Sequence, residues 1–391
     1  MERRRVTRIS SGADGQNRRH RPDYTLLILA LILLGVGVVV VYAIGPGLSA
    51  LEGRSGNYYI SKQLLSVLLS LIAFGITITI PLKWWRKVAP IVAVLAVISS
   101  LVVIGIGLAT HSPTRWITLG GISFQPAELI KLAAILLLGR FLIDRRNQGA
   151  LSDVQKTFKP FAIAIGVIGI VVAFIMRDLG SAIVIVSLMV AMLYMSGFPM
   201  RRLLLIGVAI VFVGLIAVAS TPYRRDRFFA FLHPERDTSN TSYHINQALI
   251  AVGSGGLVGL GLGNSVQAYG YLPEAANDSI FAVYGEKFGF FGSVALICVI
   301  GALLWRIIKI MEGAPDDYSK LVLVGIFAWL FIQSLMNIGA MIGLLPLKGI
   351  TLPLVSYGGS SLVFVMIALG LVFQISRYSS LRLVKRTGKD L

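Results

Sequence analysis

Long apolar runs alternate with short polar segments from residue 24 almost to the end of the chain. Each run is close to the ~20 residues that a helix needs to cross the hydrocarbon core of a bilayer. The pattern predicts ten spans, at roughly 24–45, 63–82, 88–109, 126–143, 160–176, 179–197, 203–221, 279–305, 320–342 and 361–376. The first run is too long for the core of a signal peptide and reads as a retained span. One connection, 222–278, is far longer than a helix connection requires, and loops of that length are usually functional or partly structured. Its segment 244–263 is apolar and glycine-rich, which predicts amphipathic or re-entrant helices lying on or dipping into the membrane. No internal repeat is evident, which weighs against inverted-repeat transporter folds.

Composition agrees with the pattern. The 391 residues are 56% hydrophobic and 14% charged, more apolar surface than a soluble domain can hide. The expected fold class is an all-α polytopic membrane protein with a large extracytoplasmic loop between spans seven and eight. Lys and Arg exceed Asp and Glu by 36 to 18. The excess sits between the apolar runs, so it indicates orientation and contact with anionic lipid, not nucleic acid. Lys83, Arg86 and Lys87 follow span two; Arg145, Arg146, Lys156 and Lys159 follow span four; Arg201 and Arg202 follow span six. All share a side with the basic N-terminus. The positive-inside rule then puts both termini in the cytoplasm and 222–278 outside. Residues 1–23 and 377–391 read as basic cytoplasmic tails, the first disordered, around a membrane domain of 24–376. Cys298, the single cysteine, excludes a disulfide or a cysteine-based metal site within one chain.

The candidate chemistry lies where outward loops meet spans. Glu274, Asp278 and Glu286 flank the start of span eight, and acidic groups at membrane depth are costly without a use. Two readings of Asp278 are open: a helix cap, or an ionised carboxylate that takes a proton or holds a divalent cation. Glu128 and Lys131 share one helical face in span four. They are either a pair that neutralises itself for insertion, or a polar patch that opens outward and lets Lys131 meet an anionic headgroup. Arg177 and Asp178 fill a short turn. Arg224, Arg225 and Arg227 begin the long loop, where they fit phosphate or pair with nearby acids. Residues 344–361 carry Lys348, Ser356, Ser360 and several Pro and Gly; irregular backbone at this depth is either a plain breaker or a cavity wall. The run GSGGLVGLGLG at 253–263 lacks the Gly-Lys-Ser/Thr ending of a phosphate loop, and close packing explains it better.

Six segments, taken in order, resemble the SEDS family (shape, elongation, division and sporulation) of ten-span bacterial cell-wall polymerases. They are RWITLGGISFQPAELIK at 115–131, DLGSA at 178–182, PYRRDRFFAF at 222–231, GLGNSVQ at 261–267, LPEAANDSIFAVYGE at 272–286 and LKGITLPLVSYGGSS at 347–361. Gly263-Asn264-Ser265 and 348–353 look closer to the division branch than to the elongation branch. The resemblance implies a peptidoglycan glycosyltransferase on the outer face of the bacterial cytoplasmic membrane, polymerising lipid II into β-1,4-linked glycan for septal synthesis. It implies Asp278 as the essential acid, acting as base or through Mg²⁺ or Mn²⁺. Arg115, Lys131 and Arg224 become candidates for the pyrophosphate, with Glu128 holding Lys131, Glu274 shaping the loop, and Lys348, Ser356 and Ser360 as further substrate contacts. Implied partners are lipid II, the undecaprenyl-pyrophosphate-linked glycan, a class B penicillin-binding protein and other division proteins. Departures from the family pattern are Arg177 for a proline, Ala268 for a lysine, and Ala276-Asn277-Asp278-Ser279 for His-Thr-Asp-Phe. They point to retained activity with altered contacts. A lipid II transporter and a non-enzymatic division scaffold are the competing classes.

Overall fold

The computed structural model describes residues 21–110, 115–119, 122–220, 225–226, 229, 231 and 242–378. Both basic tails lie almost wholly outside these residues, as do Arg224 and Arg227. Helices α1 (Tyr24–Leu51), α2 (Tyr58–Thr79) and α3 (Leu82–Ala109) lead to a short antiparallel hairpin, β1 (Ile117–Leu119) and β2 (Ile122–Phe124). Helices α4 (Pro126–Asn147), α5 (Val154–Ile175), α6 (Leu179–Met195) and α7 (Met200–Ala219) follow. After the long connection come α8 (Tyr243–Ser254), α9 (Ile280–Glu312), α10 (Asp317–Met341) and α11 (Gly359–Ser376).

Local chemistry sets the helix ends. Asp23, Asp178 and Asp316 cap α1, α6 and α10 by accepting from the backbone N–H of Leu26, Ser181 and Ser319. Pro126 opens α4, where its missing N–H costs nothing. Among the described residues eight helices, α1–α3, α5, α7 and α9–α11, are long and apolar enough to cross a membrane. Helix α6 is apolar and shorter, and α4 carries Glu128, Lys131, Arg140 and Asp144. The chain is an all-α multi-pass membrane protein. Helices α10 and α11 are the most enclosed, while α3 and α7 turn most of their apolar side chains outward. Leu204, Leu205, Val208, Val211 and Phe212 of α7 are all exposed, as lipid-facing residues are.

The expected span 279–305 is not one continuous rod. Gly289 breaks α9 with φ 66° and ψ −163°, a conformation open only to glycine. The broken turn pairs with the glycine-rich run instead of with itself. Leu260 and Gly261 N–H donate to the carbonyls of Glu286 and Lys287 at 3.0 Å, and Phe290 and Phe291 N–H donate to Gly256 and Leu257. Two backbones approach this closely only without side chains. A Cβ at Gly255 would lie 2.1 Å from Gly285 O, and one at Gly259 would lie 2.2 Å from Lys287 O. The glycines at 253–263 therefore serve packing.

Candidate active site

A cavity of about 980 Å³ opens at one end of the bundle. Its walls come from the connections after α1, α3, α5 and α10 and from the turn before α9, together with the adjoining helix ends. Arg115, Glu128, Arg177, Glu274, Asp278, Lys348 and Ser360 all line it. The sequence placed these residues in four separate segments; the fold brings them to one space.

Asp278 is not a helix cap. The cap of α9 is Ser279, and Asp278 stands one residue earlier, in a turn whose backbone is held on every side. Tyr357 N–H donates to Ala276 O at 2.9 Å, Ser356 Oγ donates to Asn277 O at 2.7 Å, and Asn337 Nδ2 donates to Asp278 O at 2.7 Å. Three successive carbonyls are thus claimed by the strap 347–358 and by α10. Glu274 enters the turn with φ 51°, and accepts from Asn277 Nδ2 at 2.6 Å. A turn so constrained presents its carboxylate in one direction.

That direction is toward the strap. A Cβ at Gly349 would meet Asp278 Oδ2 at 3.1 Å and an Arg115 guanidinium nitrogen at 4.0 Å. Gly349 has φ 64°, so a side chain there is both strained and in the way. Gly349→Ala is expected to cut activity at least tenfold while the protein still folds, read as initial rate against melting temperature in detergent. The hairpin that carries Arg115 is tied down on two sides. Gln125 N–H donates to Ser360 Oγ at 3.0 Å, and Gln125 Nε2 donates to Asp178 Oδ2 at 2.8 Å. Asp178 is therefore structural, as cap and as tie, while Arg177, with φ 51°, turns to the cavity.

Two expectations, on Lys131 and Ser356, are corrected. Lys131 does not open outward: it is 1% exposed and does not line the cavity. Its ammonium donates to Glu128 Oε1 at 2.7 Å and to Gln333 Oε1 at 2.8 Å, over the ring of Trp329. Glu128 reaches the cavity and Lys131 holds it from below. Lys131→Ala leaves a buried carboxylate unpaired, a loss of about 3–5 kcal/mol for such pairs, so melting temperature and yield should fall together with activity. Ser356 is also buried behind the wall, where it accepts from Leu352 N–H and holds Asn277. Glu286 belongs to a different site. It is fully buried and accepts from Ser265 Oγ and from Val266 and Gln267 N–H, pinning the glycine-rich run. Ala268, Ala276 and Ser279 are buried and do not line the cavity.

Several lining residues carried no signal in the sequence. His244 of α8 reaches the cavity and its Nε2 meets Ser279 Oγ at 2.7 Å. Ser279 Oγ donates to Pro273 O, so the imidazole Nε2–H is the donor in that contact. Glu52, Arg54, Tyr58, Tyr59 and Lys62 form the wall at the start of α2, with Arg54 and Lys62 both over the Tyr58 ring and Lys62 donating to its hydroxyl. Tyr357 completes it; burial, with Tyr58 and Glu52 nearby, pushes its phenol up to about 12, so it stays a hydrogen-bond donor at neutral pH. Only proximity in the fold could reveal this group, since the α1–α2 turn has the composition of any membrane connection.

Among the described residues no three His, Cys, Asp or Glu side chains gather as a metal cage. Asp278 shares the cavity with Glu274 and Glu52. One carboxylate completed by phosphate oxygens is the ligand set that Mg²⁺ usually takes. The donors present fit an ion shared with a pyrophosphate, and not one held by protein alone.

Fold and site together define a membrane-embedded helical protein with a charged cavity at one face of the bundle. The FtsW/RodA/SpoVE family model, described as cell cycle protein, matches residues 24–381, and the chain belongs to this family. It is 35% identical over 366 residues to stage V sporulation protein E of Bacillus subtilis (strain 168), covering 93% of this chain and 99% of that one. It is 36% identical over 366 residues to the probable peptidoglycan glycosyltransferase FtsW of Thioalkalivibrio sp. (strain K90mix), covering 92% and 90%. Among solved structures, RodA of Thermus thermophilus superposes with a TM-score of 0.64 at 24% identity, covering 92% of this chain and 98% of that one. A chain from a structure described as structural coordination of polymerization and crosslinking by a peptidoglycan synthase complex superposes with a TM-score of 0.71 at 24% identity, covering 91% and 98%.

Proposed function

We propose that the chain is a peptidoglycan glycosyltransferase that polymerises lipid II in the cavity around Asp278. The observation that carries this reading is the convergence of one rigidly held carboxylate with Arg115, Arg177 and Lys348 in a cavity large enough for a sugar pyrophosphate. Kinship with several FtsW proteins named as probable glycosyltransferases supports the reaction and its septal role. Helices α4 and α6 cross the membrane with the other eight, giving ten spans with 222–278 outside and both termini in the cytoplasm, as the basic clusters require. The cavity then faces outward.

The acceptor lipid II offers its 4-hydroxyl and the growing lipid-linked chain is the donor. Asp278 takes the hydroxyl proton as the oxygen attacks the anomeric carbon; the bond to pyrophosphate breaks, and the α linkage inverts to β-1,4. The leaving pyrophosphate needs positive charge as it departs, and Arg115, Arg177 and Lys348 line the cavity and supply it; Arg224, the fourth cation the sequence offers, lies outside the described residues. Asp278 would hold Mg²⁺ or Mn²⁺ with the pyrophosphate, adding further positive charge there. Glu274 keeps the turn in shape, Glu128 and Ser360 face the substrate, and Lys131 and Ser356 act from behind the wall. A class B penicillin-binding protein supplies cross-linking and, with other division proteins, binds this chain in the membrane. The family likeness to a synthase complex that coordinates polymerization and crosslinking supports that pairing.

A lipid II transporter is the main alternative. Labelled lipid II, given to the purified chain and its cognate transpeptidase in detergent, separates the two because no second compartment exists there. Polymer of several disaccharide units is expected. A folded complex that makes none, yet moves lipid II across vesicles, would favour transport; one that does neither would favour a scaffold.

A further inference from the structure

Helix α10 carries two buried amides one turn apart, Gln333 at 0% and Asn337 at 3% exposure. Buried polar groups in a membrane helix are costly unless paired, and the amide nitrogens of both donate to the active-site wall. Asn337 Nδ2 has two hydrogens and two acceptors: Asp278 O at 2.7 Å and Ile350 O at 2.6 Å. Both partners are carbonyl oxygens, so the nitrogen must face them. Gln333 Oε1 accepts from the Lys131 ammonium at 2.8 Å and from Trp329 Nε1 at 2.7 Å, while its Nε2 donates to Thr351 O at 3.0 Å. The strap residues so gripped, 350 and 351, directly follow Lys348 and Gly349, which line the cavity.

We propose that Asn337 and Gln333 are positioning residues that fix three charged groups against one another: Asp278, strap-borne Lys348, and Glu128 through Lys131. The inference rests on the glycosyltransfer reading and adds to it the device that sets the reacting distance. Asn337 joins the backbone of Asp278 to the strap. Gln333 joins the Lys131–Glu128 pair to the same strap, one residue on. Neither amide lines the main cavity, so neither touches substrate there. Each acts by keeping parts of the wall in register, where a shift of about 1 Å costs on the order of 10²-fold in rate.

Asn337→Asp keeps the shape and turns an acceptor toward two carbonyl oxygens. Gln333→Glu keeps the acceptor for Lys131 and removes the donor to Thr351. In the full chain with its transpeptidase and labelled lipid II, kcat of Asn337→Asp should fall about 10²-fold with KM within about threefold of wild type. Gln333→Glu should lose less, about tenfold, again in kcat. Leu335→Ala, on the exposed side of the same helix, should match wild type. Where Asn337→Asp does not fold, Asn337→Leu removes the same bonds without adding charge. Folded variants with unchanged kcat, or with kcat loss that simply follows loss of folded protein, would overturn the inference. Failure of both Asn337 variants to fold would do the same by making Asn337 a folding residue. A wild-type chain without polymerase activity would overturn the glycosyltransfer reading as well, a result distinct from these.

Discussion

Asp278→Asn should abolish lipid II polymerisation while leaving the protein folded and lipid II bound. The substitution is nearly isosteric and removes only the charge and the capacity to take a proton. The turn itself survives, because its three carbonyls are held by Tyr357, Ser356 and Asn337 through backbone atoms that the change does not touch. A positioned general base contributes about 10²–10⁴-fold, so the rate should fall by about that factor. The check is initial rate with Mg²⁺ or Mn²⁺ in the presence of the transpeptidase, beside lipid II binding to the same preparation. Binding retained with rate lost is the expected pair. Rate retained would move the chemistry off Asp278.

Glu286→Leu should cost the protein its fold, or at least the whole outer segment from α8 to α9. The carboxylate is fully buried and accepts from Ser265 Oγ and from Val266 and Gln267 N–H at 2.7 and 3.0 Å. Leucine leaves two N–H groups and a hydroxyl unpaired at about 1–3 kcal/mol each, against a total stability of about 5–15 kcal/mol. The damage is local first, because the run at 255–261 also pairs with the broken turn of α9. Glu286→Gln retains an acceptor oxygen and should fall between. Melting temperature in detergent and limited proteolysis of the 255–271 segment measure both. A stable, protease-resistant Glu286→Leu would show that the glycine pairing alone holds the segment.

The positions of the long helices were legible in hydropathy, because a crossing helix needs about 20 apolar residues and the apolar runs record them. Each expected span overlaps a helix, with ends displaced by up to seven residues. The break at Gly289 was not legible. An apolar run with a glycine reads the same whether the helix continues or opens, and the difference lies in a backbone partner thirty residues earlier. Asp278, Arg115, Glu128, Glu274, Lys348 and Ser360 were named from their polarity near span ends together with the family resemblance, and they share one cavity. Lys131 and Ser356 were found by the same signal and lie behind its wall, since composition reports that a polar group is buried but not which way it faces. His244, Tyr357 and Asn337 were missed. An imidazole or an amide in an apolar helix is more often a satisfied core residue, and only the contacts with Ser279, Ala276 and Asp278 give these three their place.

The central claim is that lipid II sits in this one cavity with its sugar pyrophosphate against Asp278. The most direct measurement is photo-crosslinking with a lipid II analogue whose reactive group lies on the sugar next to the pyrophosphate, mapped by mass spectrometry on the full chain with its transpeptidase. Labels at 115–125, 273–279 and 347–360, competed away by unlabelled lipid II, are the predicted result. Competed labels confined to another face of the bundle, with none in these three segments, would contradict it.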